Sequence, residues 1–210
     1  LEVMRELPSE SVDAVITDPP YGIASATKVQ KRGGNSLRSF DLSWDRVLPL
    51  DWIEKAARLI RPGGAFVAFT DSNEVGKVRE VLKGCGIRPL QNIFWHKTNP
   101  PPQPRKNFCS AVEVAVFARK EGRVLYWGGG GATKNIFSAP IVGGRERTKH
   151  PTQKPLSLMS WLVRLVVPIG GTVLDPFAGS GTTLLAAVTE GRNAIGIERE
   201  PEYCEIIRQR

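Results

Sequence analysis

The chain has 210 residues, 41% of them hydrophobic, enough for one α/β domain with a sizeable core and too apolar for a disordered chain. Its net charge of +8 suits a polyanionic partner. Three scattered cysteines, Cys85, Cys109 and Cys204, argue against a disulfide framework and show no metal-ligand spacing. No apolar run approaches membrane length and no signal peptide opens the chain, so a reducing cytoplasm is the expected home.

Residues 1–7 read as the tail of a helix, with Leu1, Met4 and Leu7 apolar between charges. Residues 12–17 are apolar and β-branched, which suits a buried strand. Asp18-Pro19-Pro20-Tyr21 stops that run. Proline cannot donate to a sheet ladder and biases the residue before it towards an extended conformation, so Asp18 is expected at a strand end on a stiff loop. Residues 22–46 are polar, basic and rich in Gly and Ser, and read as a long loop beside that edge.

A helix is expected over 51–60, capped by Asp51, with Trp52, Ala56, Leu59 and Ile60 at helical spacing. Arg61-Pro62-Gly63-Gly64 should end it. A strand at 65–70 follows, then a helix from a Ser72 or Asn73 cap to about Lys83, then a strand at 90–95. Residues 99–105 are too Pro-rich for helix or inner strand. Residues 112–118 form a strand expected to pair antiparallel with the one before. Residues 122–149, with four consecutive glycines from Gly128, read as a loop insertion. A helix over 155–167, a strand at 172–175, a helix over 182–190, a strand at 194–198 and a helix over 201–210 complete the chain. Strands alternating with helices predict a doubly wound, mostly parallel sheet.

Two motifs carry chemistry. Asp18 stands at the strand edge where open α/β sheets bind ligands. Asp175-Pro176-Phe177-Ala178-Gly179-Ser180-Gly181-Thr182-Thr183 is a strand end, a Gly-rich turn and a helix start. Glycines admit close backbone approach, and a helix N-terminus offers free N–H groups. Glu198 ends the next strand, at a spacing that suits a carboxylate accepting ribose hydroxyls. No Gly-Lys-Ser/Thr follows the turn, which disfavours a nucleoside triphosphate. Between the motifs lie ten basic residues against three acidic ones from Trp95 to Lys149, so most of the excess charge is concentrated there. His150-Pro151-Thr152-Gln153-Lys154-Pro155 joins this basic stretch to the Gly-rich half.

These segments, in this order, resemble the S-adenosylmethionine-dependent DNA amino-methyltransferases of the β class, whose motif order is circularly permuted. Asn92-Ile93-Phe94-Trp95-His96-Lys97 and residues 112–120 also match the pattern. The resemblance runs through almost the whole chain and implies a Rossmann-like methyltransferase fold, a seven-stranded sheet with antiparallel pairing at an edge. Six of those strands are read within residues 1–210, because the family's strand ending in a Gly-Asp-Cys-like segment would precede Leu1. The chain is expected to be a single catalytic domain, with 122–149 as a short target-recognition insertion.

The resemblance implies methyl transfer from S-adenosylmethionine to N6 of a flipped-out adenine. Cytosine N4 is the alternative, and a non-catalytic DNA-binding partner subunit is a reading of another class. The implied catalytic residues are Asp18, Pro19, Pro20 and Tyr21. The implied cofactor residues are Asp175, Phe177, Gly179, Ser180, Gly181, Thr182 and Glu198, with Lys154 and Pro155 on the methionine side and Asp18 nearby. No metal is required, because a sulfonium methyl is already activated. The expected partner is double-stranded DNA, held by Lys28, Lys31, Arg32, Arg105, Lys106, Arg145 and Arg147 through its phosphates. A homodimer and a cognate restriction endonuclease are further partners compatible with the resemblance.

Overall fold

A computed structural model describes residues 2–21, 50–102 and 108–210. Its elements run α1 (Val3–Glu6), β1 (Val12–Thr17), α2 (Asp51–Leu59), β2 (Ile60–Thr70), α3 (Val75–Gly84), β3 (Ile87–Lys97), β4 (Val112–Lys120) and β5 (Ile136–Ala139), followed by α4 (Leu156–Val166), β6 (Thr172–Asp175), α5 (Thr182–Thr189), β7 (Asn193–Gly196) and α6 (Pro201–Gln209). The seven strands form one sheet in the order β5-β3-β4-β2-β1-β6-β7. β4 runs antiparallel to both of its neighbours, β2 and β3, and every other pairing is parallel.

Alternation along β2 explains the layering. Ala65, Val67 and Phe69 point to one face, where Leu158, Met159 and Leu162 of α4 and Ala186 and Ala187 of α5 cover them. Phe66 and Ala68 point to the other, under Trp52, Ile53 and Ala56 of α2 and Val78 and Leu82 of α3. Trp52 stacks on Phe66 at 5.6 Å between ring centroids. Each Val, Leu, Ile, Phe or Met among these side chains, fully buried, contributes about 1.5–3 kcal/mol. Asp13 lies within the apolar run of β1, yet it is satisfied: it accepts from Arg61 Nη1 at 2.7 Å and from the Thr172 backbone N–H at 2.6 Å. It ties β1 to both neighbouring strands.

The structure corrects several local readings. Asp51 is the first helical residue rather than the cap; Leu50 holds the cap position, and no side chain caps the helix. Glu74, not Ser72 or Asn73, precedes α3, and the Asp71 carboxylate instead accepts from Asn73. The Arg61-Pro62-Gly63-Gly64 stretch lies within β2, which begins at Ile60, paired with Val12, and bulges there before Ala65 pairs with Ala14. Gly63 adopts φ +76°, and a Cβ there would fall 1.7 Å from the Arg123 carbonyl oxygen. That glycine serves a close crossing of two chain segments.

Residues 122–149 are also not all loop. They contribute β5, which pairs parallel with β3 and supplies the seventh strand. Its four residues are too few for a periodic signal. The approach to β5 is anchored to the body: Leu125 N–H donates to the Gly63 carbonyl at 3.1 Å and Gly128 N–H to that of Leu165 at 2.9 Å. The buried Arg119 guanidinium reaches the carbonyls of Gly63 and Tyr126 at 3.1 and 2.9 Å.

Candidate active site

From β1 the sheet extends to one side through β2, β4, β3 and β5, all filled before the chain returns to add β6 and β7 on the other side. The order therefore reverses between β1 and β6. Their C-terminal ends, carrying Asp18 and Asp175, border the crevice that such a reversal leaves. Thr17 Oγ1 donates to Asp175 Oδ1 at 2.6 Å across this boundary. The two motifs, separated by more than 150 positions, share one wall.

A cavity of about 1100 Å³ opens there, lined by residues of both motifs, Asp18 and Pro20 among them, and by Lys154 and Glu198. The Gly-rich turn forms its floor. Gly179 and Gly181 have φ +51° and +74°, a region that side chains resist. A Cβ on Gly179 would lie 2.9 Å from His150 Nε2, and one on Gly181 2.9 Å from Ile207 Cγ1. The turn is bare because neighbours press on it. Ser180 and Thr182 bond each other at 3.0 Å. Phe177 packs edge-on against Trp52 at 5.3 Å while still bordering the cavity.

Glu198 reaches back to the Gly-rich turn. One carboxylate oxygen accepts the Gly179 N–H at 2.8 Å, and the other accepts those of Arg199 and Glu200 at 2.7 and 2.8 Å. Three of its roughly four acceptor sites are filled, so the carboxylate is fixed in direction with residual acceptor capacity. Asp175 is buried and accepts from Thr17 and the Phe177 N–H. Burial pushes its carboxyl up to about 6, against the pull of those hydrogen bonds.

The segment from Gly144 to Pro155 is closed on itself. Gln153 accepts from Thr148 at 2.8 Å and donates to the Glu146 carbonyl at 2.9 Å. The Glu146 carboxylate accepts the Leu156 N–H at the start of α4 at 2.7 Å. This holds His150 and Lys154 over the cavity. The His150 ring meets Tyr203 edge-on at 4.5 Å, and its Nδ1 is buried with no hydrogen-bond partner among the described residues. Burial, with the Lys154 and Arg147 charges, lowers its pKa to about 4, so the imidazole is neutral.

Lys154 lines the cavity and also engages the Asp18 loop. Its ammonium contacts Asp18 Oδ2, while Tyr21 donates its hydroxyl to Asp18 Oδ1. Lys154 Nζ also lies 3.1 Å from Glu113 Oε2, and Lys97 Nζ lies 2.8 Å from Glu113 Oε1. Burial raises the Asp18 carboxyl above its ordinary range; Lys154 opposes that rise and Glu113 adds to it. Burial disfavours the Lys154 ammonium, but Asp18 and Glu113 outweigh it and raise its pKa. Pro155 occupies the N-cap position of α4 and is absent from the cavity lining.

Of the expected phosphate contacts, Arg145 is exposed in a 3-10 turn, Gly144–Glu146. Arg147 is exposed as well but donates to the Pro151 carbonyl at 2.9 Å. Lys28, Lys31, Arg32, Arg105 and Lys106 lie outside the described residues. Sequence reasoning missed Thr17, Lys97 and Glu113 as site residues. Each is a polar interruption in or at the end of an apolar strand, which is the signal that could have found them.

A family model described as "DNA methylase" matches residues 12–209. The chain is 31% identical to the Type II methyltransferase M2.MboI of Moraxella bovis, over all of this chain and 84% of that protein. It superposes on the crystal structure of an M1.HpyAVI–SAM complex with a TM-score of 0.76 and 30% identity, covering 99% of this chain and 94% of that one. It shares its fold with the cytosine-N4-specific PvuII DNA methyltransferase at a TM-score of 0.73 and 21% identity, covering 99% of this chain and 82% of that one.

Proposed function

Because this chain belongs to the N6/N4 DNA methylase family, we propose that it transfers a methyl group from S-adenosylmethionine to N6 of an adenine turned out of double-stranded DNA. The observation that carries this reading is the shared cavity. Asp18 at the end of β1 and the Gly-rich turn after β6 border the same space, joined by the Thr17–Asp175 hydrogen bond.

The residues present fit S-adenosylmethionine. Gly179 keeps the floor of the cavity bare, whereas Gly181 is absent from the lining and packs against Ile207; Glu198 is a fixed acceptor for a ribose, and the neutral His150 ring borders the same space. Bound there, the cofactor supplies an electrophilic methyl group. An exocyclic amine is a weak nucleophile, because its lone pair is delocalised into the base. Asp18 accepts one amine hydrogen and the Pro19 carbonyl the other, which localises the lone pair towards the methyl. Asp18 then stabilises the positive charge on the nitrogen until a proton leaves. The stiff Pro19-Pro20 backbone keeps these acceptors in place, which is preorganisation. In this reading Tyr21 offers a ring on which the extruded base stacks.

Turning the base out costs a few kcal/mol, offset by phosphate contacts from the basic middle of the chain, Arg145 among them. Residues 122–149 serve target recognition in this reading. An aspartate at position 18 favours adenine, since cytosine-N4 relatives more often carry serine there.

The test is to incubate the protein with methyl-labelled cofactor and unmethylated genomic DNA, digest to nucleosides and identify the labelled product. N6-methyladenine supports the proposal. N4-methylcytosine overturns the choice of base, and no label, with an active control enzyme, overturns the catalytic reading.

A further inference from the structure

Four charges of alternating sign form a line into the site: Lys97, Glu113, Lys154 and Asp18. Glu113 lies on β4, paired across the ladder with Trp95. Its Oε1 takes the Lys97 ammonium at 2.8 Å, which leaves Oε2 for Lys154 at 3.1 Å. Lys154 is buried and spans Glu113, Asp18 and, at 3.3 Å, the Tyr21 hydroxyl.

Both Asp18 oxygens are engaged, one by Tyr21 and one by Lys154. Each oxygen keeps acceptor capacity, but a nitrogen that turns cationic on Asp18 is repelled by an ammonium held on the same carboxylate, so Lys154 must draw back. A buried ammonium that loses its partner pays a large desolvation penalty unless another carboxylate holds it. Glu113 already lies within reach, so the ammonium can give up Asp18 without becoming unpaired. We propose that Glu113 is a positioning residue that holds Lys154 as the target amine displaces it from Asp18, so that Asp18 is freed at each turnover. This rests on the role given to Asp18 above.

The charged and titratable groups facing this line are Tyr21 beside Asp18, Asp175 across the strand boundary, and His150, on which Lys154 acts. Glu113 itself is held below its ordinary range: burial raises it, but Lys154 and Lys97 outweigh that. Its charge raises the Asp18 carboxyl. Neutralising Glu113 must therefore move the ionisation of Asp18 to lower pH.

The experiment compares wild type with Glu113→Gln, Glu113→Asp, Lys154→Met, the Glu113→Gln/Lys154→Met double variant and Asp18→Ala, in methyl transfer across pH and in equilibrium binding of S-adenosylmethionine. Melting curves confirm folding. Glu113→Gln should lower kcat about tenfold, the worth of one charge-assisted hydrogen bond, with cofactor affinity changed less than about twofold. Its acid limb should shift to lower pH, and Glu113→Asp should recover part of the rate. In the Lys154→Met background, Glu113→Gln should change the rate less than about twofold, because the residue it holds is gone. Multiplicative losses, or an unmoved acid limb, overturn the proposal. Activity in Asp18→Ala would overturn the reading of Asp18 instead, whereas an inactive Asp18→Ala beside a wild-type-like Glu113→Gln would sink this inference alone.

Discussion

Thr17 Oγ1 and Asp175 Oδ1 lie 2.6 Å apart at the ends of two parallel strands. The bond is buried and joins the strand that carries Asp18 to the strand that opens the Gly-rich turn. Its hydroxyl is one of the groups that restrain the upward push of burial on Asp175.

Thr17→Val keeps the shape of the side chain and removes that donor. Asp175 would keep the Phe177 N–H. The expected loss is about 1–3 kcal/mol of folding stability at pH 7.5, the cost of leaving a buried acceptor short of a partner. Urea unfolding measures it, and an unchanged midpoint would show that the bond contributes nothing.

Asp175→Asn should stabilise the protein at neutral pH. A carboxyl ordinarily at 3.8 is pushed to about 6 in the fold, so the folded state binds more protons than the unfolded one between those values. Its contribution is fully present below about 3.8 and is lost as pH rises through 6. The loss is roughly 3 kcal/mol at pH 7.5, and Asn removes most of it. His150 acts in the opposite sense: with its pKa lowered from 6.5 to about 4, its contribution is present above 6.5 and lost as pH falls towards 4. The two offset each other between pH 4 and 6. Unfolding of Asp175→Asn should therefore show stability rising steeply with pH in that window, and a slope no steeper than wild type would contradict the assignment. Cofactor affinity should fall in the same variant.

Gly179→Ala places a methyl in a left-handed backbone position, 2.9 Å from His150 Nε2. The conformational cost is about 1–2 kcal/mol, and His150 must move off the cavity wall. Calorimetric titration should show cofactor affinity reduced at least about tenfold, with the fold retained. Affinity equal to wild type would mean that the turn does not face the cofactor.

Asp18→Ala should reduce methyl transfer by about a hundredfold or more, as loss of a preorganised electrostatic contact does, while cofactor binding stays measurable. The melting temperature should change little, since Glu113 still pairs with Lys154 at 3.1 Å. Turnover within about tenfold of wild type would remove Asp18 from the chemistry.

Both motifs were legible in the chain because their signals are local. Two prolines after an acid, and two glycines between a strand and a helix, constrain the backbone wherever they occur. The mostly parallel sheet followed from the alternation of apolar strands and amphipathic helices, and β6 is read at its observed bounds. Glu198 could be paired with the turn because both sit at ends of adjacent strands of one βαβ unit. By itself the sequence thus determined the elements other than β5, their order along the chain and the positions of the two motifs.

What it left open depended on long-range partners. β5 is too short to carry a period, and it exists because β3 offers a free edge. The strand at Ile60 runs through Pro62 and Gly63 because Val12 pairs with it and the Arg123 region crosses over the glycine. Lys154 reads locally as part of a stiff segment beside the cofactor. Only the tertiary structure brings it to Asp18 and Glu113, from elements 136 and 41 positions away. A buried charge takes whichever opposite charge the packing presents, and no local pattern records that choice.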